Sequence, residues 1–385
     1  MSDLDRIDDR LGGLAERSLD ALAAMFDEGT GLFSQKTEVV DGAYANRGAN
    51  VLYSAVSLVG ILRQRRRPAD GVLPVGRALD GIHAATLRSR RPGEIANLVW
   101  AMSIAEDRRG AELLDLLVEV DPAGCSSGEL GQVLYGLSIG AETHAAGRDR
   151  AIAAATAAAA ELLARFVPGP SVFRASPRRR LPRRELLEVG LTSFAAQVYP
   201  LHGLTAFHLL SGEGPPAAMA AVADRIVEAQ GPLGQWWWIY SSRQRVVIEG
   251  YPVYSVHQDG MAFLGLLELE RLGLGDFAGS LALGLDWVFG ENELGAGLAR
   301  GEPWLVHRCI QRIGSDADGA YGVSRANLRQ VFWRSLAPLA AGERTGAAPG
   351  RLEILEECRS YHLGWLLYAD SLVQDARARA ADGGA

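Results

Sequence analysis

Apolar residues recur at helical spacing along almost the whole chain, and this periodicity limits the possible folds more than any other feature of the sequence. The segments are of two alternating kinds. One kind combines small residues, aromatics and amides, as in GEIANLVWAMSIA, and the other is evenly amphipathic, as in GRALDGIHAATLRSR. With the helix breakers, the pattern predicts an all-α protein with helices at about 11–26, 47–63, 74–88, 93–105, 110–120, 127–143, 148–166, 191–210, 217–229, 258–272, 276–289 and 352–376.

Six segments of the first kind alternate with six of the second, which predicts the inner and outer layers of an α/α toroid of six helical hairpins. Inner-type segments recur after about 35 to 65 residues, a spacing that suits helix hairpins. An open solenoid of hairpins is the alternative, but uneven repeat lengths and many aromatics favour the closed ring. We expect residues 1–385 to form a single α/α-barrel domain.

Residues 230–257 and 290–350 are the two long interruptions of the helical pattern, and long ordered loops in compact domains are usually functional. The first predicts a short β-hairpin, in which WWWIYS and RVVIEGYPVYS flank a turn at 242–244. Side chains of adjacent residues diverge, so the three consecutive tryptophans cannot all face one core. In a closed ring both interruptions would lie on the rim and cover the mouth, where a substrate would enter.

The segment YPVYSVHQDGMA at 251–262 holds the strongest cluster of reactive groups. Tyr254, His257 and Asp259 are predicted to lie near the start of one helix, and together they offer the groups needed to move protons. Asp259 is also a plausible partner of the helix dipole without a catalytic task. A structural role is the alternative for each histidine.

The loop LDWVFGENELG at 285–295 presents two carboxylates, Glu291 and Glu293. Closely placed carboxylates can work as an acid and a base or nucleophile, as glycoside hydrolysis requires. An exposed loop whose Glu293 pairs with an arginine is the alternative. Arg308 and Arg312 could supply that partner, or could bind an acidic sugar or a phosphate.

Polar residues recur in the first turns of the inner helices and should converge on one end of the ring; caps and interhelix hydrogen bonds are the alternative reading. They are Asn46, Arg47, Asn50, Glu94, Asn97, Glu129, Gln132, Gln197, Tyr199, His202, His257, Gln258, Asp259, Ser360, Tyr361 and His362. The candidates for substrate binding are Trp236, Trp237, Trp238, Tyr240, Tyr251, Gln258, Arg308, Arg312, His202 and His362.

Composition excludes several classes of function. The net charge is −7 and Lys36 is the sole lysine, so nucleic acid is not an expected partner. The acidic start and the lack of about 18 consecutive apolar residues predict a cytoplasmic protein without a membrane span. Three widely spaced cysteines predict buried thiols. SDADG at 315–319 offers too few oxygen ligands for calcium, and we expect neither a metal nor a cofactor.

On these residues the chain resembles the six-hairpin α/α-barrel superfamily of carbohydrate-active proteins. The hairpin alternation, GQWWWIY at 234–240 and LDWVFGENELG carry the resemblance, and the YPVYSVHQDGM stretch is loosely similar to bacterial proteins of polysaccharide gene clusters. The resemblance implies an oligosaccharide or smaller substrate and a reaction by hydrolysis, elimination or epimerisation. Barrel glycosidases of this kind have a further N-terminal Asp pair, of which this chain offers only Asp41.

Two other functions are compatible with the same pattern. The chain also resembles the toroid of terpene cyclases, whose aromatic cavities stabilise carbocations, although DADG at 316–319 lacks the last two carboxylates of their DxDD motif. A terpene-cyclase-like cavity would be aromatic throughout with one isolated acid, whereas a sugar site needs many partners for hydroxyls. A helical interaction scaffold would instead expose its aromatic cluster as a flat patch.

Overall fold

The computed structural model describes residues 2–69, 71–176, 190–314 and 351–383. Twelve helices account for most of this part of the chain, as the apolar periodicity predicts. They are α1 (Asp3–Met25), α2 (Val51–Arg63), α3 (Val75–Ser89), α4 (Pro92–Ile104), α5 (Gly110–Val118), α6 (Ser127–Thr143), α7 (Arg148–Ala164), α8 (Ala195–Ser211), α9 (Ala217–Glu228), α10, α11 (Ala278–Val288) and α12 (Ser360–Gly383). Helix α10 is a continuous irregular run of a π turn (His257–Met261), an α-helical turn (Ala262–Leu266) and a 3-10 segment (Leu267–Leu272).

The even-numbered helices form a closed inner ring. Helices α2, α4, α6, α8, α10 and α12 pack side by side in chain order, and α12 packs against α2. The odd-numbered helices lie outside them; for example, α5 packs on α4 and α6, and α1 packs on α12 and α11. The predicted α/α toroid is therefore confirmed, and the open solenoid is excluded.

Small residues explain how the inner helices approach one another. A Cβ atom on Gly60 of α2 would lie 2.1 Å from the Gly364 carbonyl oxygen of α12, and one on Gly203 of α8 would lie 2.3 Å from the Gly131 carbonyl oxygen of α6. Backbones therefore touch at these crossings, including the crossing that closes the ring. Residues 93–103 of α4 are buried without interruption, as expected of a helix enclosed on all sides.

Short strands precede four of the inner helices, so they gather at the end of the barrel where those helices begin. They are β1 (Phe26–Asp27), β2 (Leu32–Val40), β3 (Ala43–Ala49), β4 (Phe166–Val167), β5 (Val172–Phe173), β6 (Leu191–Ser193), β7 (Ile239–Ser241), β8 (Val247–Glu249), β9 (Val253–Tyr254), β10 (Ala299–Arg300), β11 (Leu305–Val306), β12 (Cys309–Arg312) and β13 (Leu352–Leu355). The three-stranded sheets have the orders β1-β2-β3, β6-β7-β8 and β13-β12-β9. The β7–β8 pair is the hairpin predicted within 230–257.

The structure differs from the sequence-based expectations at several element boundaries and at one hairpin. Helix α1 begins at Asp3, not near residue 11, because Ser2 and Asp5 form a capping box. The β2–β3 hairpin occupies a region where no strand was predicted; Asp41 and Gly42 form its turn with φ values of 50° and 74°. Strand β13 lies where the last helix was expected to start, and α12 begins only at Ser360.

One predicted region lies largely outside the described residues, and the predictions for the cysteines can be compared with the structure. Most of the predicted rim insertion at 290–350, with Asp316 and Asp318, lies outside them. Cys125, Cys309 and Cys358 are buried and free, as the spacing of the cysteines predicts. Within the described ranges, no helix combines the length and the apolar character needed to cross a membrane.

Candidate active site at the mouth of the barrel

A cavity of about 460 Å³ opens where α2, α4, α6 and α8 begin, and we call it the mouth cavity. Its walls combine carboxylates, amides, hydroxyls, a guanidinium and a phenol. The side chains that carry these groups include Asn50, Arg91, Glu94, Ser126, Glu129, Gln132, Ser193 and Tyr199.

The starts of the inner helices place these groups on one wall. Asn50 caps α2 and Ser126 caps α6, each by accepting a hydrogen bond from a backbone amide of the first turn. Gly93 is the second residue of α4, and a Cβ atom there would lie 2.9 Å from Gln132 Oε1. A glycine at this position therefore keeps the space beside Gln132 open.

Two glutamates on neighbouring inner helices line the mouth cavity. Glu94 of α4 is only 6% exposed; it accepts a hydrogen bond from Ser89 Oγ, and Arg91 lies 4.0 Å from its carboxylate. Glu129 of α6 is half-buried, and its Oε1 accepts a hydrogen bond from the Gly93 backbone amide at 3.3 Å. A pair of carboxylates beside one cavity can supply both an acid and a base or nucleophile.

Tyr199 lies between the mouth cavity and the barrel interior. Its hydroxyl accepts a hydrogen bond from Trp365 Nε1 at 3.0 Å. Burial raises the pKa of Tyr199, and the bond from Trp365 opposes that change only in part. The phenol therefore stays protonated at neutral pH and can donate a hydrogen bond to a bound hydroxyl group.

A second group of aromatic side chains continues around the mouth from Tyr199. The rings of Tyr53 and Tyr361 lie 4.4 Å apart. Burial raises the pKa of Tyr361 well above its ordinary value, Tyr53 raises it further, and Arg308 lowers it.

His257 begins α10 and packs between aromatic rings. Its ring centroid lies 4.7 Å from that of Phe194 and 5.3 Å from that of Tyr254. Its Nδ1 has no hydrogen-bond partner among the residues that the structure describes. Burial lowers the pKa of His257 to about 3, so the imidazole is neutral near pH 7.

Asp259 and His362 form a buried pair between α10 and α12. His362 Nε2 lies 2.8 Å from one carboxylate oxygen of Asp259 and 2.9 Å from the other. Burial raises the pKa of Asp259, and the neighbouring His362 opposes that effect without cancelling it. The pair joins two inner helices, and neither residue belongs to the lining of the mouth cavity.

The three tryptophans differ in exposure. Trp236 is completely buried, and its backbone amide donates to Gln258 Oε1 at 3.0 Å. Trp237 and Trp238 are half-buried and meet the rings of Tyr251 and Tyr254 edge-on, at 6.2 Å and 5.5 Å. Tyr240, which follows them, is buried, and burial raises its pKa.

Glu293 and Glu291 have different environments although they share one loop. Glu293 accepts hydrogen bonds from Gln235 Nε2 at 2.9 Å, Tyr251 Oη at 2.7 Å and Trp287 Nε1 at 2.8 Å. This arrangement ties the tryptophan segment to α11. Glu291 is exposed. Burial raises the pKa of Tyr251, and its bond to Glu293 raises it further.

Arg308 and Arg312 both pair with buried carboxylates on the rim. Arg308 lies 2.5 Å from Glu357 and 5.5 Å from the centre of the Tyr254 ring. Arg312 lies 2.9 Å from Glu249 and 5.5 Å from the centre of the Tyr251 ring. Each guanidinium therefore contacts a carboxylate and a tyrosine of the segment before α10.

His202 lies deeper in the barrel than the other sequence-predicted site residues. Its ring stacks on Tyr135 with centroids 3.8 Å apart, and its Nε2 lies 3.4 Å from the Tyr368 hydroxyl. Burial lowers the pKa of His202 to about 3. Its surroundings are aromatic and lie toward the far end of the barrel.

Of the first-turn polar residues predicted to converge, five line the mouth cavity: Asn50, Glu94, Glu129, Gln132 and Tyr199. The others do not line it, and Asn97 and Gln197 instead make hydrogen bonds within and beside their own helices, as the alternative reading holds. The sequence reasoning did not assign chemistry to the two glutamates. A signal for them exists: GEIANLVWAMSI at 93–104 and GELGQVLYGLSI at 128–139 form an internal repeat with glutamate at the same place. Among the described ranges, no cluster of three or more His, Cys, Asp or Glu residues is arranged to hold a metal ion.

Comparisons with known proteins show the fold. No family model and no curated protein matches the sequence. A glycosidase variant solved in complex with glucose is 14% identical over 95% of this chain and 97% of its own, with a TM-score of 0.51. A wild-type glycosidase is 13% identical over the same shares, with a TM-score of 0.52. A polysaccharide lyase, at 10% identity over 85% of this chain and 91% of its own, reaches a TM-score of 0.46.

The chain therefore shares the α/α-barrel fold of these two glycosidases, and the resemblance inferred from the sequence is confirmed at the level of the fold.

Proposed function

We propose that the protein is a carbohydrate-active enzyme that binds its saccharide in the mouth cavity and uses Glu94 and Glu129 as the acid and base of a hydrolytic reaction. One observation carries the proposal: two carboxylates from a repeated Gly-Glu helix start line a single cavity of about 460 Å³. That volume lies in the range of small-molecule sites.

The chemistry of the lining is suited to hydrolysis. A glycosidic bond is cleaved when one carboxylic acid protonates the leaving oxygen and a second carboxylate activates water or attacks the sugar carbon. Asn50 and Gln132 offer amide groups, and Tyr199 offers a phenol, to the hydroxyls of a bound sugar ring. Elimination and epimerisation would use the same two groups to remove a proton from carbon and to give one to the leaving oxygen or to the opposite face of that carbon, and product analysis distinguishes them from hydrolysis.

The same lining argues against the two other functions. A carbocation cavity is aromatic throughout, whereas this one holds two carboxylates and two amides. A docking scaffold would need a flat exposed aromatic patch, whereas Trp236 is buried and its two neighbours are half-buried.

The sequence-based assignment of His257, Tyr254 and Asp259 stays a rival proposal for the catalytic groups. The Nδ1 atom of His257 lacks a partner in the described residues, and a neutral imidazole can act as a base. In that assignment Arg308 would position an acidic group of the substrate, and Trp237 and Trp238 would stack on sugar rings. It fits elimination or epimerisation better than hydrolysis.

The experiment that tests the proposal is a screen of neutral and acidic oligosaccharides with product analysis by mass spectrometry and NMR. We expect hydrolysis of at least one substrate by the wild-type protein, its loss in Glu94→Gln and Glu129→Gln, and its retention in Glu112→Gln. Glu112 is an exposed glutamate in the first turn of the outer helix α5, so it is the matched control.

Two outcomes contradict the proposal. If both glutamate variants keep full turnover while His257→Gln is inactive, the rival assignment is correct. If no saccharide is converted at all, the protein is not the carbohydrate-active enzyme that we propose.

A further inference from the structure

A second cavity, of about 210 Å³, lies at the opposite end of the barrel from the mouth, and we call it the distal cavity. Its lining comes from the last turns of α2, α4 and α6, the 3-10 part of α10 and the middle of α12. The residues that matter here are Arg63, Trp100, Ser103, Tyr135, Arg271 and Tyr368. The aromatic interior of the barrel separates it from the mouth cavity.

Ser103 supplies the first observation that points to a ligand. It is only 8% exposed and lines the distal cavity, and its hydroxyl has no hydrogen-bond partner among the described residues. Ser138 occupies the same place in the internal repeat, and its hydroxyl donates to the Leu134 carbonyl at 2.8 Å. A buried hydroxyl without a partner is costly, so the difference between the two serines needs an explanation.

Arg63 supplies a second observation on the same wall. Its Nε atom is buried and also lacks a hydrogen-bond partner among the described residues. Its terminal nitrogen pairs with Asp375 at 2.5 Å, so only part of its donor capacity is used. Two residues that line the distal cavity, on different helices, therefore each carry a buried polar atom with unused hydrogen-bonding capacity.

Aromatic rings form the apolar part of the lining. The centroid of Trp100 lies 4.3 Å from that of Tyr135 and 4.8 Å from that of Tyr368. Such rings bind flat apolar surfaces, including the C–H face of a sugar ring.

The charges around the distal cavity are balanced. Arg63 pairs with Asp375, and Arg271 pairs with Glu268 at 2.8 Å. Two cations and two anions give no net preference for a charged ligand. Hydroxyl groups, in contrast, can accept from a guanidinium and donate to a carboxylate at the same time.

We propose that the distal cavity is a second binding site, for a neutral polyhydroxylated ligand the size of one monosaccharide. The site is independent of Glu94 and Glu129, and the proposal does not depend on the reaction at the mouth. For a ligand of about a dozen non-hydrogen atoms, a dissociation constant in the millimolar range is expected.

The test titrates the 385-residue protein with glucose, mannose and galactose by calorimetry and by tryptophan fluorescence. We expect saturable binding of at least one sugar to the wild type, at least tenfold weaker binding to Ser103→Leu, which fills the cavity, and unchanged binding to Ser138→Ala and to Glu112→Gln, which lies outside both cavities. Arg271→Gln changes a partly exposed side chain and provides a second variant, in which binding should also weaken about tenfold.

Several results would overturn the proposal. Binding that is lost in Glu129→Gln and unchanged in Ser103→Leu and Arg271→Gln places the sugar at the mouth alone. Tighter binding of glucuronate or inorganic phosphate than of any neutral sugar means that the ligand class is wrong. The absence of saturable binding by all three sugars removes the site.

Discussion

The tryptophan segment at 230–260 and the first turns of α4 and α6 differ in how well an unusual sequence indicates a cavity. The segment is the most conspicuous part of the sequence, yet Trp236 is buried and Glu293 is bound by three donors. The first turns are inconspicuous, yet Glu94 and Glu129 line a cavity of about 460 Å³ at the mouth of the barrel. A segment of unusual composition can therefore reflect the packing of large aromatic side chains as readily as it reflects a functional site.

Physical chemistry explains the difference. Large aromatic side chains gain most by burial, and the polar groups among them must then bond to one another. Gln258 bonds to the backbone of Trp236, and Glu293 to Tyr251 and Trp287, for this reason. Polar residues at the start of a helix lie where backbone amides need partners and where cavities between helices open.

The largest expected effect concerns the mouth cavity. Glu129→Gln keeps the shape of the side chain and removes its proton transfer, so kcat/KM should fall by roughly a thousandfold, within the range for general acid–base catalysis. Steady-state kinetics on the substrate found by the screen measure the loss, and the melting temperature should stay unchanged. A decrease of less than tenfold would mean that Glu129 is not in the reaction.

The second effect concerns the tryptophan segment and its stability. Glu293→Ala leaves buried donors of Gln235, Tyr251 and Trp287 without their acceptor, so the free energy of unfolding should fall by about 3 kcal/mol. Urea denaturation measures it. Glu291→Ala, on the same loop but exposed, is the matched control and should change stability by less than about 0.5 kcal/mol. Equal effects of the two substitutions would refute the packing role.

The third effect extends the comparison to the interior. Burial lowers the pKa of His202 from 6.5 to about 3, so below pH 6.5 the unfolded chain takes up a proton there that the folded chain does not. Stability is therefore lost as the pH falls from 6.5 toward 3, by roughly 1.4 kcal/mol per pH unit for this residue. Denaturation series at several pH values should show a slope smaller by that amount in His202→Phe. Parallel curves would show that His202 is already protonated in the folded protein.

The smallest effect tests the rival assignment directly. If the glutamates carry the reaction, His257→Gln should lower kcat/KM by less than about tenfold, because it changes only packing beside Tyr254. Phe194→Leu, which alters the other side of the same ring stack, serves for comparison. If kcat/KM falls as far in His257→Gln as in Glu129→Gln, the segment that contains His257 takes part in the reaction, which contradicts the assignment to the glutamates alone.

The sequence predicts the fold better than the site, and particular residues show why. Apolar periodicity predicts the helices because apolar residues recur on the buried face of each helix. Strand β3 is largely exposed and has no such pattern, so the β2–β3 hairpin was not predicted. The Asp41-Gly42 turn was the available signal. Ring closure rests on the contact between Gly60 and Gly364, which lie far apart in the sequence.

The site is less predictable because it depends on which residues of different helices come together. The sequence indicates that the first turns converge. It does not show whether the Glu94 carboxylate lies beside the same cavity as Glu129 or only caps a helix. The repeat GEIANLVWAMSI and GELGQVLYGLSI narrows that choice, since equivalent positions on adjacent inner helices lie side by side. The sequence of the loop that Glu291 and Glu293 share does not show that Glu291 is exposed while Glu293 accepts three hydrogen bonds.

The most direct test of the central claim is a crystal structure of Glu129→Gln with a bound oligosaccharide substrate. The account predicts a sugar ring in the mouth cavity, with the scissile oxygen within hydrogen-bond distance of Glu94 or of the amide that replaces Glu129. A sugar stacked on Trp237 or Trp238 and in contact with His257, with the mouth cavity left without sugar, would contradict it.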